Sequence, residues 1–592
     1  MLPHKHIELR LQQAVRAVLP EADTTAVLVR PCPDPKFGDY QSNALMSLAR
    51  ARKLNPQKLA TDVLAKLDVS EICEQVEIAG AGFLNFRLKD SILAQSLVAA
   101  ARGERLFFDK VVRPKTMVID FSAPNVAKPM HVGHIRSTIL GDCLARALRL
   151  LGHRVITDNH IGDWGTQFGM LLFGWKREWY SPNGDAFRAA LEKDALWEME
   201  KLYKKVHAEC EQNPDILAKC REELVKLQQH GFGPENRDIW ENLVKYSQSQ
   251  FDKIYNRLGV KFDYTYGESH YNARLEFLVQ DLMAEGIARE SEGAVVVFFD
   301  DIPQLKGHPL IIRKRDGGFN YATTDLATLE FRLNTWRPNE IIYVTDGRQQ
   351  LHFQQVFAVF RKWQQANSEI RTQNSGLKLA HVWFGSILGE DGKPFKTRSG
   401  ETVKLADLLD EAEERAFKIV SEKNPELPEA QRREIARVVG LGAVKYADLL
   451  PNRQSDYVFS WDKMLALNGN TAPYLQYAYA RIRSIFRKAE AESASRKPQT
   501  AISLAAPEEI ALVKHLLNFG LTLEAVAEEY RPNFLCNYLY ELAGKFTAFY
   551  ENCPVLKADN ATRTSRLALC DLTAQVLKKG LETLGIETAE QM

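Results

Sequence analysis

Residues 116–152 constrain the rest of this chain more than any other stretch. TMVIDF, over 116–121, has the pattern of a short buried strand built on Met117, Val118 and Ile119. The loop that follows, SAPNVAKPM over 122–130, carries Pro124 and Pro129, which forbid helix. His131-Val132-Gly133-His134 comes next, and apolar residues then return at helical spacing as Ile135, Ile139, Leu144, Leu148 and Leu151. Gly152 stops that helix, and residues 154–157 start a second strand. The result is one βαβ unit with a nucleotide-competent loop at the carboxyl end of its first strand.

The chemistry suits a polyphosphate. A helix amino end collects unpaired N–H groups and partial positive charge. Gly133, between two histidines, lets the backbone approach a flat ligand. Imidazoles one turn apart can donate hydrogen bonds to oxygens that gain charge when a phosphorus is attacked. Lys128 adds a flexible cation. Taken alone, this pattern is more often a basic cap on a structural loop; the neighbouring residues reverse that reading.

SAPNVAKPMHVGHIRST, over 122–138, resembles the signature loop and helix of class I aminoacyl-tRNA synthetases, specifically of the arginyl family. Val132 stands where the family's tetrapeptide has Ile. The resemblance implies ATP-dependent activation of L-arginine to arginyl-adenylate, with release of pyrophosphate. Transfer to the terminal adenosine of tRNA(Arg) and release of AMP would follow. It also implies His131, His134 and Lys128 as catalytic groups. His131, Gly133 and His134 would meet ATP, and Mg²⁺ would travel with the nucleotide rather than in a protein cage.

Global properties agree. A chain of 592 residues is long enough for several domains, and 45% hydrophobic with 26% charged residues is ordinary soluble composition. The eight cysteines form no CxxC pair, so neither a zinc site nor a disulfide framework is indicated. No apolar run approaches membrane-spanning length, and the opening residues lack a secretory core. A cytoplasmic monomer with no membrane contact is the expectation. A net charge of +1 leaves RNA binding to local basic surfaces.

The resemblance extends along the chain in order. The expected fold is multidomain α/β: a small N-terminal α/β domain, a central Rossmann-like parallel-sheet catalytic domain with a helical insertion, and a C-terminal all-α bundle. The corresponding ranges are 1–110, 111–404 with the insertion over about 180–290, a helical bridge over 405–455, and 456–592 for the anticodon-binding bundle. In the first range FGDYQSN, over 37–43, resembles the family's tRNA-elbow domain, implying that Phe37 stacks on a base and Gln41 reads its edge. DNHIGDWGTQ, over 158–167, follows the second strand and reads as pocket lining through Asp163, Trp164 and Gln167. The second half of the sheet is expected to begin near residues 294–299.

A guanidinium is planar, permanently charged and carries five donors, so its pocket needs anions and oriented acceptors. Tyr321 and Asp325 lie four apart on one helical face. The resemblance implies Asp120 and Asp325 at the guanidinium, Tyr321 and Gln349 shaping the slot, and Asn125 at the α-amino or carboxylate end. It places Gly347 and His352 at the ATP ribose and adenine. Many relatives carry Glu where this chain has Asp120.

LGEDGKPFKTRSG, over 388–400, is a glycine-bordered loop whose cations Lys393, Lys396 and Arg398 suit a pyrophosphate that is clamped and released. Phe-Lys-Thr-Arg-Ser replaces the usual Lys-Met-Ser-Lys-Ser, which makes Lys128 a substitute for the missing lysine; Lys396 and Arg398 are the catalytic candidates. Toward the carboxyl end, GNTAPYLQYAYARIRS, over 469–484, resembles the anticodon-binding helical domain. Tyr474 and Tyr477 are expected at the RNA, with Met592 packing beside the anticodon.

Overall fold

The structure is a computed structural model that describes residues 1–228, 234–367, 376–395, 403–492 and 502–592. Its contacts divide the chain into two units, residues 112–465 and residues 1–111 with 466–592.

The N-terminal part holds helices α1 (Pro3–Val18), α2 (Ala44–Arg52), α3 (Pro56–Leu64) and α4 (Asp90–Ala101). Its strands are β1 (Arg30–Pro31), β2 (Tyr40–Ser42), β3 (Cys73–Ala79) and β4 (Phe83–Leu88), in the antiparallel order β1-β2-β4-β3. The β3–β4 hairpin turns at Gly80, whose φ of 51° suits glycine.

The unit of residues 112–465 is built on five parallel strands: β5 (Thr116–Phe121), β6 (Arg154–Ile161), β7 (Tyr264–Gly267), and, later in the chain, β11 (Glu340–Val344) and β12 (Lys378–His381). Their order is β12-β11-β5-β6-β7. β5 is buried along nearly its whole length, as a central parallel strand covered on both faces must be. The chain runs from β5 to one side through β6 and β7, then returns to the other side for β11 and β12. The strand order therefore reverses between β5 and β11, and a crevice opens at the carboxyl ends there.

Helix α5 (Val132–Leu150) joins β5 to β6. Helices α6 (Thr166–Trp179), α7 (Gly184–Gln212), α8 (Pro214–Gln228) and α9 (Pro234–Leu258) lie between β6 and β7. They share a core of Phe168, Leu172, Met199, Leu202, Val206 and Leu243. After α10 (Asn272–Ala284) comes a difference from the sequence reading. Residues 294–297 do not join the parallel sheet; they form β9 (Ala294–Val297) of a separate antiparallel sheet with β8 (Arg289–Ser291) and β10 (Leu310–Arg313). An unbroken apolar run marks burial, not which sheet does the burying.

Helices α11 (Tyr321–Trp336) and α12 (Gln350–Ala366) flank β11. A short parallel pair, β13 (Ile387–Leu388) with β14 (Tyr457–Val458), and helices α13 (Leu405–Lys423) and α14 (Glu429–Leu449) complete the unit.

The remaining helices, α15 (Ala472–Glu492), α16 (Pro507–Leu516), α17 (Phe519–Glu529), α18 (Asn533–Asn552) and α19 (Asn560–Thr583), form the bundle of the other unit. Leu535, Leu539, Leu542 and Phe546 line its core from α18. Lys514 pairs with Asp39 at 2.7 Å, tying the bundle to the N-terminal sheet.

Candidate active site

The loop after β5 is strained. Ser122, Ala123 and Ala127 all hold left-handed φ values, 74°, 47° and 61°. Each costs about 1–3 kcal/mol unless its surroundings fix it. They do fix it. Ser122 N donates to Ser137 Oγ at 2.8 Å, and Ser122 Oγ meets Thr138 Oγ1 and Tyr255 OH, both at 2.8 Å. Ala123 N donates to Asn159 Oδ1, and Ala127 N to Ser247 Oγ. Tyr255 and Ser247 belong to α9, so the helical insertion braces the loop.

At the loop's end His131 caps α5. Its Nδ1 accepts from Gly133 N at 3.1 Å, and the His134 Nδ1 accepts from His131 N at 3.1 Å. A backbone N–H can only donate, so the His131 imidazole keeps its proton on Nε2, while His134 Nδ1 also lies 3.3 Å from His131 O. The rings lie 4.1 Å apart between centroids. Burial, aided by Lys128, lowers the His131 pKa; burial, aided by His131, pulls His134 down to about 3. Both rings are neutral donors. A Cβ at residue 133 would lie 2.8 Å from the His131 ring, so glycine is required for this cap.

Cations surround this end. Lys128 Nζ sits 5.0 Å above the Tyr203 ring, and Lys404 Nζ 4.5 Å above that of Trp197, both rings on α7. Lys404 pairs with His131 as an antiparallel bridge, and Val132 N donates to Val403 O at 2.9 Å. The chain leaving the cationic loop is thus stitched to the histidine cap. Lys396 and Arg398 themselves lie outside the described residues. Lys393 is exposed in a turn closed by its own backbone N–H on Asp391.

Carboxylates gather across the crevice. Asp120 at the end of β5 is directly opposite Asp158 on β6 and Tyr343 on β11. Asp120, however, arrives already paired: Arg332 Nη2 donates to its Oδ2 and to Asp158 Oδ2, each at 2.7 Å. All three side chains are buried. A guanidinium of the protein thus holds one oxygen of the carboxylate that the resemblance places at the substrate guanidinium. Asp325 is likewise held at Oδ2, by His352 Nε2 at 2.5 Å, but its side chain is less buried than that of Asp120. His352 was expected at the nucleotide; here it is the partner of Asp325. Tyr321 opens α11 and is 71% exposed, and Gln349 is exposed just after β11. Gly347 N donates to Phe384 O, and Asn125 pairs with Gly162 beside the loop.

Sequence reasoning missed Glu268, in the turn that follows β7. Burial, with Asp325 and Asp163 nearby, pushes its carboxyl up to about 8. Among the described residues it has no hydrogen-bond partner. Asp163 holds the turn by accepting from Ser269 N at 2.9 Å and Ser269 Oγ at 2.6 Å. The available signal was a carboxylate directly after a strand end. Arg332 was missed as well; its position seven residues after Asp325, on the buried face of α11, was the clue.

In the other unit Phe37 is 57% exposed on its turn, while Gln41 is half-buried on β2 between β1 and β4. Tyr477 is 47% exposed, and Tyr474 meets Tyr540 edge-on at 5.7 Å. The C-terminal tail lies along α15. Gln476 donates to Glu587 O at 2.8 Å, Tyr479 OH to Glu590 at 2.6 Å, and Arg483 and Arg487 also bind Glu590. Met592 is half-buried at its end.

A reversed parallel sheet with a histidine-capped helix at its switch point is the arrangement of class I aminoacyl-tRNA synthetases, and the family model places the chain in that class. The family model for class I (R) tRNA synthetase catalytic domains matches residues 97–461. Models for the DALR anticodon binding domain and the arginyl tRNA synthetase N-terminal domain match residues 475–592 and 5–88. The chain is 44% identical to an arginine–tRNA ligase of Chromobacterium violaceum, over all of both proteins, and 46% identical to one of an Enterobacter species over 95% of each. Among solved structures it is similar to the arginyl-tRNA synthetase of Plasmodium falciparum, with TM-score 0.80, 30% identity and coverage of 100% and 99% of the two chains. The Thermus thermophilus enzyme gives TM-score 0.79 at 26% identity over all of both chains. The chain belongs to the arginyl-tRNA synthetase family.

Proposed function

We propose that the crevice between β5 and β11 carries out the family's two-step reaction on this chain's own residues. The activity is arginine–tRNA ligation, with ATP, L-arginine and tRNA(Arg) as substrates. The α-carboxylate of arginine attacks the α-phosphorus of ATP, the bond to the β-phosphate breaks, and pyrophosphate leaves. A hydroxyl of the terminal adenosine then attacks the carbonyl of arginyl-adenylate, and AMP leaves. No general base is needed for the first step, since the carboxylate is already ionised.

Neutral His131 and His134 donate through Nε2 to phosphate oxygens, while Lys128, Lys396 and Arg398 offset charge on the departing pyrophosphate. Gly133 and Gly347 leave room for the nucleotide. Asp325 and Glu268 receive the guanidinium between them, Tyr321 and Gln349 close the slot, and Asn125 holds the α-amino end. Asp120 acts through Arg332 by fixing the pocket floor. Mg²⁺ enters with ATP, as befits a cation that prefers phosphates and water to an all-protein cage. Residues 1–110, with Phe37 and Gln41, contact the tRNA elbow. Residues 111–404 perform the chemistry, 405–455 bridge, and 456–592, with Tyr474, Tyr477 and Met592, meet the anticodon. A cytoplasmic monomer completes this reading.

The observation that carries it is Glu268, a carboxyl raised to about 8 beside Asp325 with no hydrogen-bond partner among the described residues. A bound guanidinium supplies what that site lacks. Charging bulk tRNA with each labelled amino acid tests it. Arginine alone should be transferred; efficient transfer of any other amino acid, or none of arginine, would refute the reading.

A further inference from the structure

His352 holds the Asp325 carboxylate. Its Nε2 lies 2.5 Å from Asp325 Oδ2, with both side chains partly exposed to the crevice. It stands on the first turn of α12, its ring edge-on to Phe353 at 5.3 Å. A carboxylate clamped at one oxygen cannot rotate freely, so the other is presented in a fixed direction.

We propose that His352 is a positioning residue for arginine recognition: it locks Asp325 through Oδ2, leaves Oδ1 for the substrate guanidinium, and takes no part in binding the nucleotide. The proposal rests on the reading that Asp325 receives that guanidinium.

A second consequence is a proton switch. Burial pulls the His352 imidazole down, but the hydrogen bond and charge of Asp325 together outweigh it and raise the pKa above the ordinary histidine value. A protonated His352 neutralises Asp325 and repels an incoming guanidinium. Binding arginine lowers the His352 pKa, so affinity rises as pH rises toward the free-enzyme value.

The other groups facing this pair are few. Burial holds His160 on β6 and His381 on β12 neutral, each down to about 4. Tyr343 on β11 is pushed up by burial. Asp120 on β5 is paired with Arg332 of α11, and Tyr321 on α11 is raised by burial. Glu268, raised to about 8, acts with the same sign. Two groups therefore shape the profile.

The test is steady-state aminoacylation by the full chain with tRNA, measuring arginine KM, ATP KM and kcat between about pH 6 and pH 9. His352→Ala should raise arginine KM by roughly tenfold and leave ATP KM within about twofold. His352→Asn, which keeps a donor but no titratable charge, should restore most of that loss with a flatter profile than wild type. Glu268→Gln should keep the His352 part of the slope. A raised ATP KM with unchanged arginine KM in His352→Ala would overturn the proposal, as would a wild-type slope in His352→Asn. If His352→Ala fails to fold, His352→Asn against wild type still decides through the slope. Asp325→Asn separates the two ideas. If it leaves arginine KM unchanged, the pocket assignment itself fails; if it raises arginine KM while the His352 variants do not, only the positioning role fails.

Discussion

Arg332 Nη2 lies 2.7 Å from Asp120 Oδ2, so a guanidinium of the protein's own holds one oxygen of the carboxylate at the end of the central strand. The same nitrogen lies 2.7 Å from Asp158 Oδ2. Matched positions on neighbouring parallel strands would otherwise bury two like charges side by side. Replacing Arg332 with Met removes the cation and leaves both. A loss of about 3–5 kcal/mol in unfolding free energy is expected by denaturant titration at neutral pH. Burial then raises both carboxyl pKa values above their unfolded values, so stability should be present at low pH and decline as pH rises. A variant as stable as wild type at neutral pH would show that Arg332 is not needed there.

The two imidazoles of the α5 cap act uncharged. Their lowered pKa values place their titration below neutrality, His134 at about 3. The rate of adenylate formation should therefore not follow His134 protonation between about pH 6 and pH 8. His134→Ala should lower activation at least about tenfold and leave tRNA affinity nearly unchanged. Equal loss of both, measured by pyrophosphate exchange and tRNA binding, would count against a role at the phosphates.

Tyr255 reaches from α9 to the strained loop, meeting Ser122 Oγ at 2.8 Å and accepting from Asn159 Nδ2 at 3.1 Å. Tyr255→Phe deletes only the hydroxyl. It should cost about 1–2 kcal/mol of stability and raise ATP KM, because the loop positions the histidine cap. Thermal melting with ATP kinetics checks both effects.

In the helical bundle Glu590 gathers Tyr479, Arg483 and Arg487. Glu590→Ala removes the carboxylate contacts to Tyr479 and Arg483 and so loosens the tail on α15. Charging should lose efficiency through tRNA KM, with pyrophosphate exchange at saturating tRNA little changed. An unchanged tRNA KM would remove the tail from the RNA surface.

Much of this was legible along the chain. The βαβ unit announced itself because prolines, glycine and apolar spacing each fix local backbone. Tyr321 and Asp325 shared a helical face, in the first turns of α11. What escaped was pairing across the sheet. Nothing local says that Arg332 reaches Asp120 across 212 positions, or that His352 reaches Asp325 from the next helix. Glu268 gains its meaning only once β7 joins the sheet edge and burial raises its carboxyl. The resemblance placed Asp120 at the substrate guanidinium; it could not show the internal cation that holds one of its oxygens. The assignment of residues 294–297 to the main sheet failed for a related reason: apolar content does not name a partner strand.

The central claim is that one crevice separates its work by charge, acidic groups for the guanidinium and neutral or basic ones for the triphosphate. Measuring arginine and ATP KM together with kcat for Asp325→Asn and His134→Ala tests it most directly. Asp325→Asn should raise arginine KM by at least about tenfold with ATP KM near wild type, while His134→Ala should lower kcat with arginine KM near wild type. Both variants shifting the same constant, or Asp325→Asn keeping full arginine affinity, would contradict it.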